Sequence, residues 1–344
     1  MDCSTLFSTS SRREFLKKAA LLGSLGFISH KNIFAFNGSI GKTDGLPDIF
    51  YKYKTMSVDH FPKLQKDIET LKRKGLLSRN KIFKGYIEDM TYELPENFTD
   101  AKSIIIMAAF TRSAIVKFHW HGKKYDVIIP PQYYDSGISI EDLKKVIQKD
   151  IIESSGYKIE NTTTVHLKQL AVRSGLGRYG RNNLCYVKGM GTFITLYAFL
   201  TNFQFEDDHW TSLNLLDACR TCPICYGICP TNCIKKENFV INVGKCITLY
   251  NEINGNFPNW ILPSMHNALI GCIKCQYPCP ENEKFIPLAE RLEDVTESET
   301  HKILNGKPDE KLLASLSQKL KKFIPATSKE YFPIFTRNLR ALIR

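Results

Sequence analysis

Eleven cysteines occur in this 344-residue chain, and seven of them form two runs whose spacing could hold iron–sulfur clusters. The first run reads CRTCPICYGICP over residues 219–230, and the second reads CIKCQYPCP over residues 272–280. In bacterial ferredoxins of this spacing, three closely spaced thiolates hold one 4Fe–4S cluster, and the cysteine before proline ligates the other cluster. The pattern therefore predicts two 4Fe–4S clusters that exchange ligands between the runs.

A count of ligands assigns eight cysteines to the two clusters. The second run lacks one cysteine relative to the first, and Cys246, between the runs, supplies the missing thiolate. The predicted ligands of the first cluster are Cys219, Cys222, Cys225 and Cys279. The predicted ligands of the second cluster are Cys229, Cys246, Cys272 and Cys275. Cys185 and Cys233 have no place in this scheme, and we predict that both are packed side chains.

Two other uses of the cysteines are disfavoured but stay open. A zinc ribbon needs two C-x2-C pairs per ion, and it leaves the third cysteine and the prolines of the runs unexplained. A disulfide framework would require bridges between cysteines that lie too close together on tight loops.

The N-terminal segment resembles a twin-arginine export signal. Arg12 and Arg13 precede Phe15-Leu16-Lys17 and the apolar run 19–27, which is too short to span a bilayer. An amphipathic first helix is the alternative. We therefore expect a protein that the twin-arginine translocase exports to the periplasm or to the outer face of the cytoplasmic membrane. Its electrons would come from a donor protein or a membrane redox partner.

The basic composition gives weak evidence for a nucleic acid partner. The formal net charge is +12, but five basic and two acidic residues among the first 35 supply +3 of it. Thiolates bound to iron would lower the net charge further. We expect no nucleic acid partner.

Periodicity predicts the main elements. A helix is expected from Phe61 to Lys74, and a buried strand over Ser103–Phe110. A capping box at Ser139–Asp142 predicts the start of another helix. Helices are also expected over Val165–Arg173 and in the C-terminal tail. The predicted domains are a signal (1–35), an α/β domain (36–210), a double-cluster domain (211–290) and a helical tail (291–344).

The segment 175–180 reads GLGRYG and matches the glycine pattern of dinucleotide-binding loops. That pattern should follow a strand and be followed about twenty residues later by an acidic side chain, whereas here a predicted helix precedes it and Leu200 stands at that distance. A glycine-rich turn that lets the backbone approach a large flat ligand, or another chain, fits better.

Residues 95–285 resemble the epoxyqueuosine reductase family. The similar motifs are LAVRSGLGRYGRNNL over 170–184, the GTF strand at 191–193, the first cysteine run, and GCIKCQYPCPEN over 271–282. The exported, cobalamin-dependent reductive dehalogenases share the double-cluster architecture and the twin-arginine signal.

The resemblance implies a fold class and a second cofactor. The fold is an α/β N-terminal domain of corrinoid-reductase type, then a ferredoxin-like double 4Fe–4S domain and a short helical tail. The implied cofactor is cobalamin, and the residues expected beside its corrin are Gly175, Gly177, Tyr179, Gly180, Arg181 and Asn182. In that scheme the clusters pass electrons to cobalt.

One position departs from the family. Its catalytic aspartate would fall at Asn161, and an amide cannot act as a general acid. His119, His121 and His166 are further candidate axial ligands or proton donors. We therefore expect an exported iron–sulfur oxidoreductase, cobalamin-dependent, that reduces an unknown small molecule. The alternative is an electron-transfer protein without corrinoid, and dehalogenation and epoxyqueuosine reduction are disfavoured.

Overall fold

The computed structural model describes residues 40–41, 49–134, 137–237, 240–320, 323, 326 and 328–344. The predicted export signal over residues 1–35 lies outside the described residues. Among the helices that are described, none combines the length and the apolar character needed to cross a membrane.

The larger sheet has five antiparallel strands. They are β1 (Ile40–Gly41), β2 (Ile49–Ser57), β3 (Ser103–Phe110), β6 (Ile159–Thr162) and β9 (Ile194–Thr201). Their order across the sheet is β1-β2-β3-β9-β6. The predicted buried strand is confirmed as β3, whose Ile104 and Ile106 face one core while Ile105 and Met107 face another. An apolar run without alternation fits a strand that is covered on both faces.

Helices cover both faces of this sheet. On one face lie α1 (Phe61–Arg73) and α4 (Leu167–Arg173), both close to their predicted positions, with α2 (Lys81–Glu88) following α1 in the chain. On the other face lies α3 (Ile140–Val146), which begins at the predicted Ser139–Asp142 capping box and continues as a π-helix over Ile147–Ile152. The sequence pattern did not predict this change of helix type.

A second sheet joins the middle of the chain to its C-terminal part. It contains β4 (Ala114–Trp120), β5 (Lys123–Ile129) and β10 (Glu290–Arg291), with β10 parallel to β4 and β5 antiparallel to it. The helices that pack against it are α7 (Glu297–Leu304), α8 (Glu310–Lys319) and α9 (Phe332–Leu342). The helical tail therefore packs against β4 and β5 in one hydrophobic core.

Short elements carry the cysteines. Two small strands, β7 (Arg178–Tyr179) and β8 (Cys185–Tyr186), form a hairpin behind the glycine-rich turn. The helices α5 (Ile224–Ile228) and α6 (Ile247–Glu252) lie in the cysteine-rich part. The mixed α/β class is confirmed, whereas the ferredoxin-like layout of the cysteine-rich part stays a prediction.

Candidate iron–sulfur centres

The structure brings the four cysteines predicted for the first cluster together. Burial raises the pKa of the Cys225 thiol to about 11, and the thiols that add to this effect are Cys219, Cys222 and Cys279. Burial likewise raises the pKa of Cys219, which has Cys279 and Cys222 among its neighbours. Cys279 is separated by more than fifty residues from the other three, so the fold brings it near them. We call these four cysteines the first thiol group.

The second thiol group contains the other four predicted ligands. Burial raises the pKa of Cys272 to about 11, and nearby Cys246 and Cys229 act in the same direction. Burial also raises the pKa of Cys275 well above its ordinary value, with Cys272 and Cys246 next in effect. Cys246, which no cysteine run contains, therefore lies beside the second run as the ligand count predicted.

The donor set of each group fits a 4Fe–4S cluster. Each group offers four thiols, which is the ligand set of such a cluster, and a cubane holds its four cysteine sulfurs farther apart than one ion would. Among the residues that the structure describes, no three or more His, Cys, Asp or Glu side chains are arranged to hold a single metal ion. Because each offers four thiols, the first thiol group and the second thiol group match the ligand number of one cluster each, and the ligand roles stay predictions.

Tyr186 and Asn267, which lie outside the cysteine runs, donate hydrogen bonds to the sulfurs of predicted ligands. The Tyr186 hydroxyl donates to Cys279 Sγ at 3.4 Å, in the first thiol group. Asn267 Nδ2 donates to Cys272 Sγ at 3.2 Å, in the second. Hydrogen bonds to sulfur raise or lower the reduction potential of a cluster. Sequence reasoning missed both residues, because neither belongs to a spacing motif.

The glycine-rich turn packs against its own hairpin. A Cβ on Gly177 would lie 2.9 Å from the Tyr186 carbonyl oxygen, and a Cβ on Gly180 would overlap the Tyr186 ring. Gly175 has φ +74°, which favours glycine. Gly177 and Gly180 are thus needed for close contact between the turn and β8.

Arg181 and Asn182 connect this turn to both thiol groups. Arg181 is 7% exposed. Its Nε donates to the Cys219 carbonyl at 3.1 Å, and its other nitrogens reach the carbonyls of Arg220 and Lys236. Asn182 Nδ2 donates to the Tyr186 hydroxyl at 3.0 Å and to the Cys275 carbonyl at 3.4 Å. The two residues therefore fix the cysteine-rich part on the α/β part of the chain.

Three of the remaining predicted residues, Tyr179, His166 and His119, are buried or hydrogen-bonded, whereas His121 is exposed. Burial raises the pKa of Tyr179, which lies in the core between the sheet and α4. His166 is hydrogen-bonded to the Tyr92 hydroxyl, and burial, followed by Lys168, lowers the pKa of His166 to about 4. His119 contacts Asp294 at 2.7 Å, and His121 lies in the turn after β4 with φ 50°. The contacts of His166 and His119 are those of structural histidines.

A cavity of about 200 Å³ lies on the open side of the glycine-rich turn. Its lining residues are Val172, Gly175, Gly177, Arg178, Thr211, Ser212 and Asn214. Pockets for drug-sized ligands measure roughly 300–1,000 Å³, and a corrin is larger than most such ligands. This one cavity is smaller than a corrin, and the predicted corrin contacts of the turn stay predictions.

Asn161 lies inside the larger sheet. It belongs to β6 and pairs with Phe199 of β9, and its Nδ2 donates to the Ala198 carbonyl at 3.1 Å. The side chain is thus a structural amide in the position where the resembling family would have an acid.

Comparison with known proteins extends these observations. A family model described as a 4Fe-4S double cluster binding domain matches residues 218–282. An epoxyqueuosine reductase of Staphylococcus aureus is 36% identical over 115 residues, which are 33% of this chain and 29% of that protein. The corresponding protein of Cyclobacterium marinum is 28% identical over 194 residues, 54% of this chain and 59% of the other. The matched stretches thus span less than two thirds of these relatives.

Solved structures share the fold over nearly the whole chain. Epoxyqueuosine reductase from Streptococcus thermophilus superimposes with a TM-score of 0.56 at 18% identity, covering 97% of this chain and 80% of the other. An epoxyqueuosine reductase bound to an epoxyqueuosine-modified tRNA stem loop gives a TM-score of 0.57 at 17% identity, covering 96% and 80%.

These relatives correct three predictions. The predicted function, reduction of an unknown small molecule by an exported protein, is wrong, because the matching proteins are epoxyqueuosine reductases. The predicted absence of a nucleic acid partner is wrong, because one of these neighbours is bound to a tRNA stem loop. The predicted exported location and its translocase partner are wrong on the same findings.

Proposed function

We propose that this chain, an epoxyqueuosine reductase-like protein with a 4Fe–4S double-cluster domain, reduces the epoxide of a modified tRNA nucleoside. The observation that carries the proposal is the pairing of the first and second thiol groups, which Arg181 and Asn182 fix against the glycine-rich turn. That turn and both cysteine runs are the segments that resemble the family.

The chemistry fits a protein with two clusters. Reduction of an epoxide to an alkene takes two electrons and two protons, breaks both carbon–oxygen bonds of the ring and releases water. A 4Fe–4S cluster passes one electron at a time. Two clusters that lie side by side can supply the two electrons in succession. The hydrogen bonds that Tyr186 and Asn267 donate to cysteine sulfurs would adjust the reduction potentials of the clusters.

The protons must come from another group than residue 161. Asn161 is an amide that is hydrogen-bonded within the sheet, and an amide is not a general acid. The proton supply is therefore the step at which this chain departs from the family that it resembles.

Cobalamin is part of the proposal as a second cofactor. Its support is the family resemblance, and when bound it would supply a metal centre that can accept single electrons from the clusters. The chain's own contribution is the fixed contact between the glycine-rich turn and the cysteine-rich part.

Exposed cations around the cysteine-rich part support a nucleic acid substrate. The exposed basic residues there are Arg220, Lys235, Lys236, Lys245 and Lys284. The formal net charge of the chain is +12. Cationic surfaces bind the phosphate backbone and lose affinity as salt rises.

A turnover assay tests the proposed function. The anaerobically reconstituted protein is incubated with dithionite and a tRNA stem loop that carries epoxyqueuosine, and the nucleosides are analysed by mass spectrometry. We expect a product that has lost one oxygen atom. The Cys225→Ala variant, which lacks one ligand of the first thiol group, should give no product. Unchanged nucleoside after incubation with protein that retains both clusters would refute the proposal.

A further inference from the structure

Cys233 lies beside two predicted ligands of the second thiol group. Its sulfur is 3.5 Å from Cys229 Sγ, and it is also within hydrogen-bonding reach of the Cys246 thiol. The side chain is 2% exposed. The sequence predicted a packed side chain without a partner, and the structure instead places a third thiol between two ligand positions.

The backbone fixes this placement. After Cys229 the chain turns, with Asn232 N donating to the Cys229 carbonyl at 3.2 Å and Asn232 at φ 52°. Asn242 N then donates to the Cys233 carbonyl at 2.9 Å, next to the turn over Val243–Lys245 that leads into Cys246. Cys233 is thus held from both sides against the part of the chain that carries Cys246.

We propose that Cys233 is a reserve ligand for the second cluster, able to replace Cys246 on iron. In the exchange the Cys233 thiol would give its proton to the departing Cys246 thiolate and would bind the iron in its place. No electron is transferred, so the oxidation state of the cluster does not change. The proposal rests on a cluster in the second thiol group and not on the identity of the substrate.

The two thiol groups should therefore differ in their response to the loss of a ligand. The thiols that influence the Cys225 thiol are all predicted ligands themselves. The second thiol group has Cys233 in contact with Cys229 and Cys246. Loss of Cys246 should be tolerated, whereas loss of Cys225 should not.

Four variants test the reserve role: Cys246→Ala, Cys233→Ala, the Cys233→Ala/Cys246→Ala pair, and the Cys185→Ala/Cys246→Ala pair as the matched control. Cys185 is also buried, but it lies in β8 against Gly177. Iron content and electron paramagnetic resonance are measured on anaerobically reconstituted protein before and after reduction. The signal of the first cluster records in each sample that the domain has folded.

We expect Cys246→Ala and the Cys185→Ala/Cys246→Ala pair to keep about eight irons per chain, with an altered signal from the second cluster. The Cys233→Ala/Cys246→Ala pair should show a three-iron signal or fall to about four irons. If Cys246→Ala alone already resembles that pair, or if the pair keeps two four-iron clusters, Cys233 is not a reserve ligand. Should Cys246→Ala lack both clusters, Cys246→Val, which fills the space of the thiol but cannot bind iron, is measured in the same series, with the same expectations. None of these results depends on the turnover of tRNA.

Discussion

The Tyr186 hydroxyl is the one side-chain donor that the structure places on a sulfur of the first thiol group among the described residues. Burial, followed by the neighbouring Cys279, raises the pKa of Tyr186, so the phenol keeps its proton and stays a donor. A hydrogen bond to a ligand sulfur stabilises the more negative, reduced cluster and so raises its reduction potential. The hydroxyl proton of Tyr186 is therefore expected to raise the reduction potential of the first cluster.

Removal of that donor should lower one potential selectively. Tyr186→Phe is expected to shift the midpoint potential of the first cluster downward and to leave that of the second cluster unchanged. A redox titration followed by electron paramagnetic resonance measures both. Tyr92→Phe is the matched control, because its buried hydroxyl is hydrogen-bonded to His166. Equal potentials in Tyr186→Phe and in the unchanged protein would show that the contact has no electronic effect.

Spacing in the sequence predicted how the cysteines group, since short loops determine which thiols can share a cluster. The ligand count added Cys246, and the fold places Cys246 near Cys272, while the ligand roles stay predictions. The positions of Tyr186, Asn267 and Cys233 could not be predicted in this way. The contacts of Tyr186 and Asn267 depend on how the fold places their loops against the cysteines. The position of Cys233 depends on the turn at Asn232, whose φ is positive.

At the scale of elements, the glycine-rich turn and β8 act as one unit. The turn contains Gly180, whose missing Cβ leaves room for the Tyr186 ring and for the Asn182 amide, 2.6 Å from the position of that Cβ. A side chain at this position would push Tyr186 away from Cys279. The element therefore connects the packing of the α/β part to the first thiol group.

Two glycine substitutions separate this effect from a general loss of glycine. Gly180→Ala should destabilise the protein by about 1–3 kcal/mol through overpacking, and it should disturb the first cluster. Gly227→Ala is the control, because Gly227 is exposed in α5 between two ligands and an added Cβ would meet nothing within 4 Å. Thermal unfolding and the cluster signals are measured for both. Similar losses in the two variants would contradict the proposed link between the turn and the cluster.

Local patterns predicted several elements well. The helix at Phe61–Arg73 follows from its periodicity, and the start of α3 follows from the capping box at Ser139–Asp142. The π-helical continuation over Ile147–Ile152 and the docking of the tail onto β4 were not predicted. Both depend on packing against other parts of the chain, which overrides local preference.

At the scale of the whole molecule, the chain combines an α/β part, which contains the larger sheet and the second sheet, with a cysteine-rich part. Arg181 and Asn182 connect the two parts. The tail is part of the core, since Leu312 and Phe335 pack with Phe118 of β4. The likeness to epoxyqueuosine reductase structures extends over 97% of the chain, while sequence identity is only 18%. The fold is therefore retained where most side chains differ.

The most direct test of the claim that each thiol group holds a 4Fe–4S cluster is the iron and acid-labile sulfide content. Both are measured on the anaerobically reconstituted protein, together with its Mössbauer spectrum. Two groups of four thiols should give about eight irons and about eight sulfides per chain, all in 4Fe–4S clusters. About four of each would mean that only one thiol group holds a cluster. Stoichiometric zinc without sulfide would contradict the assignment of both groups.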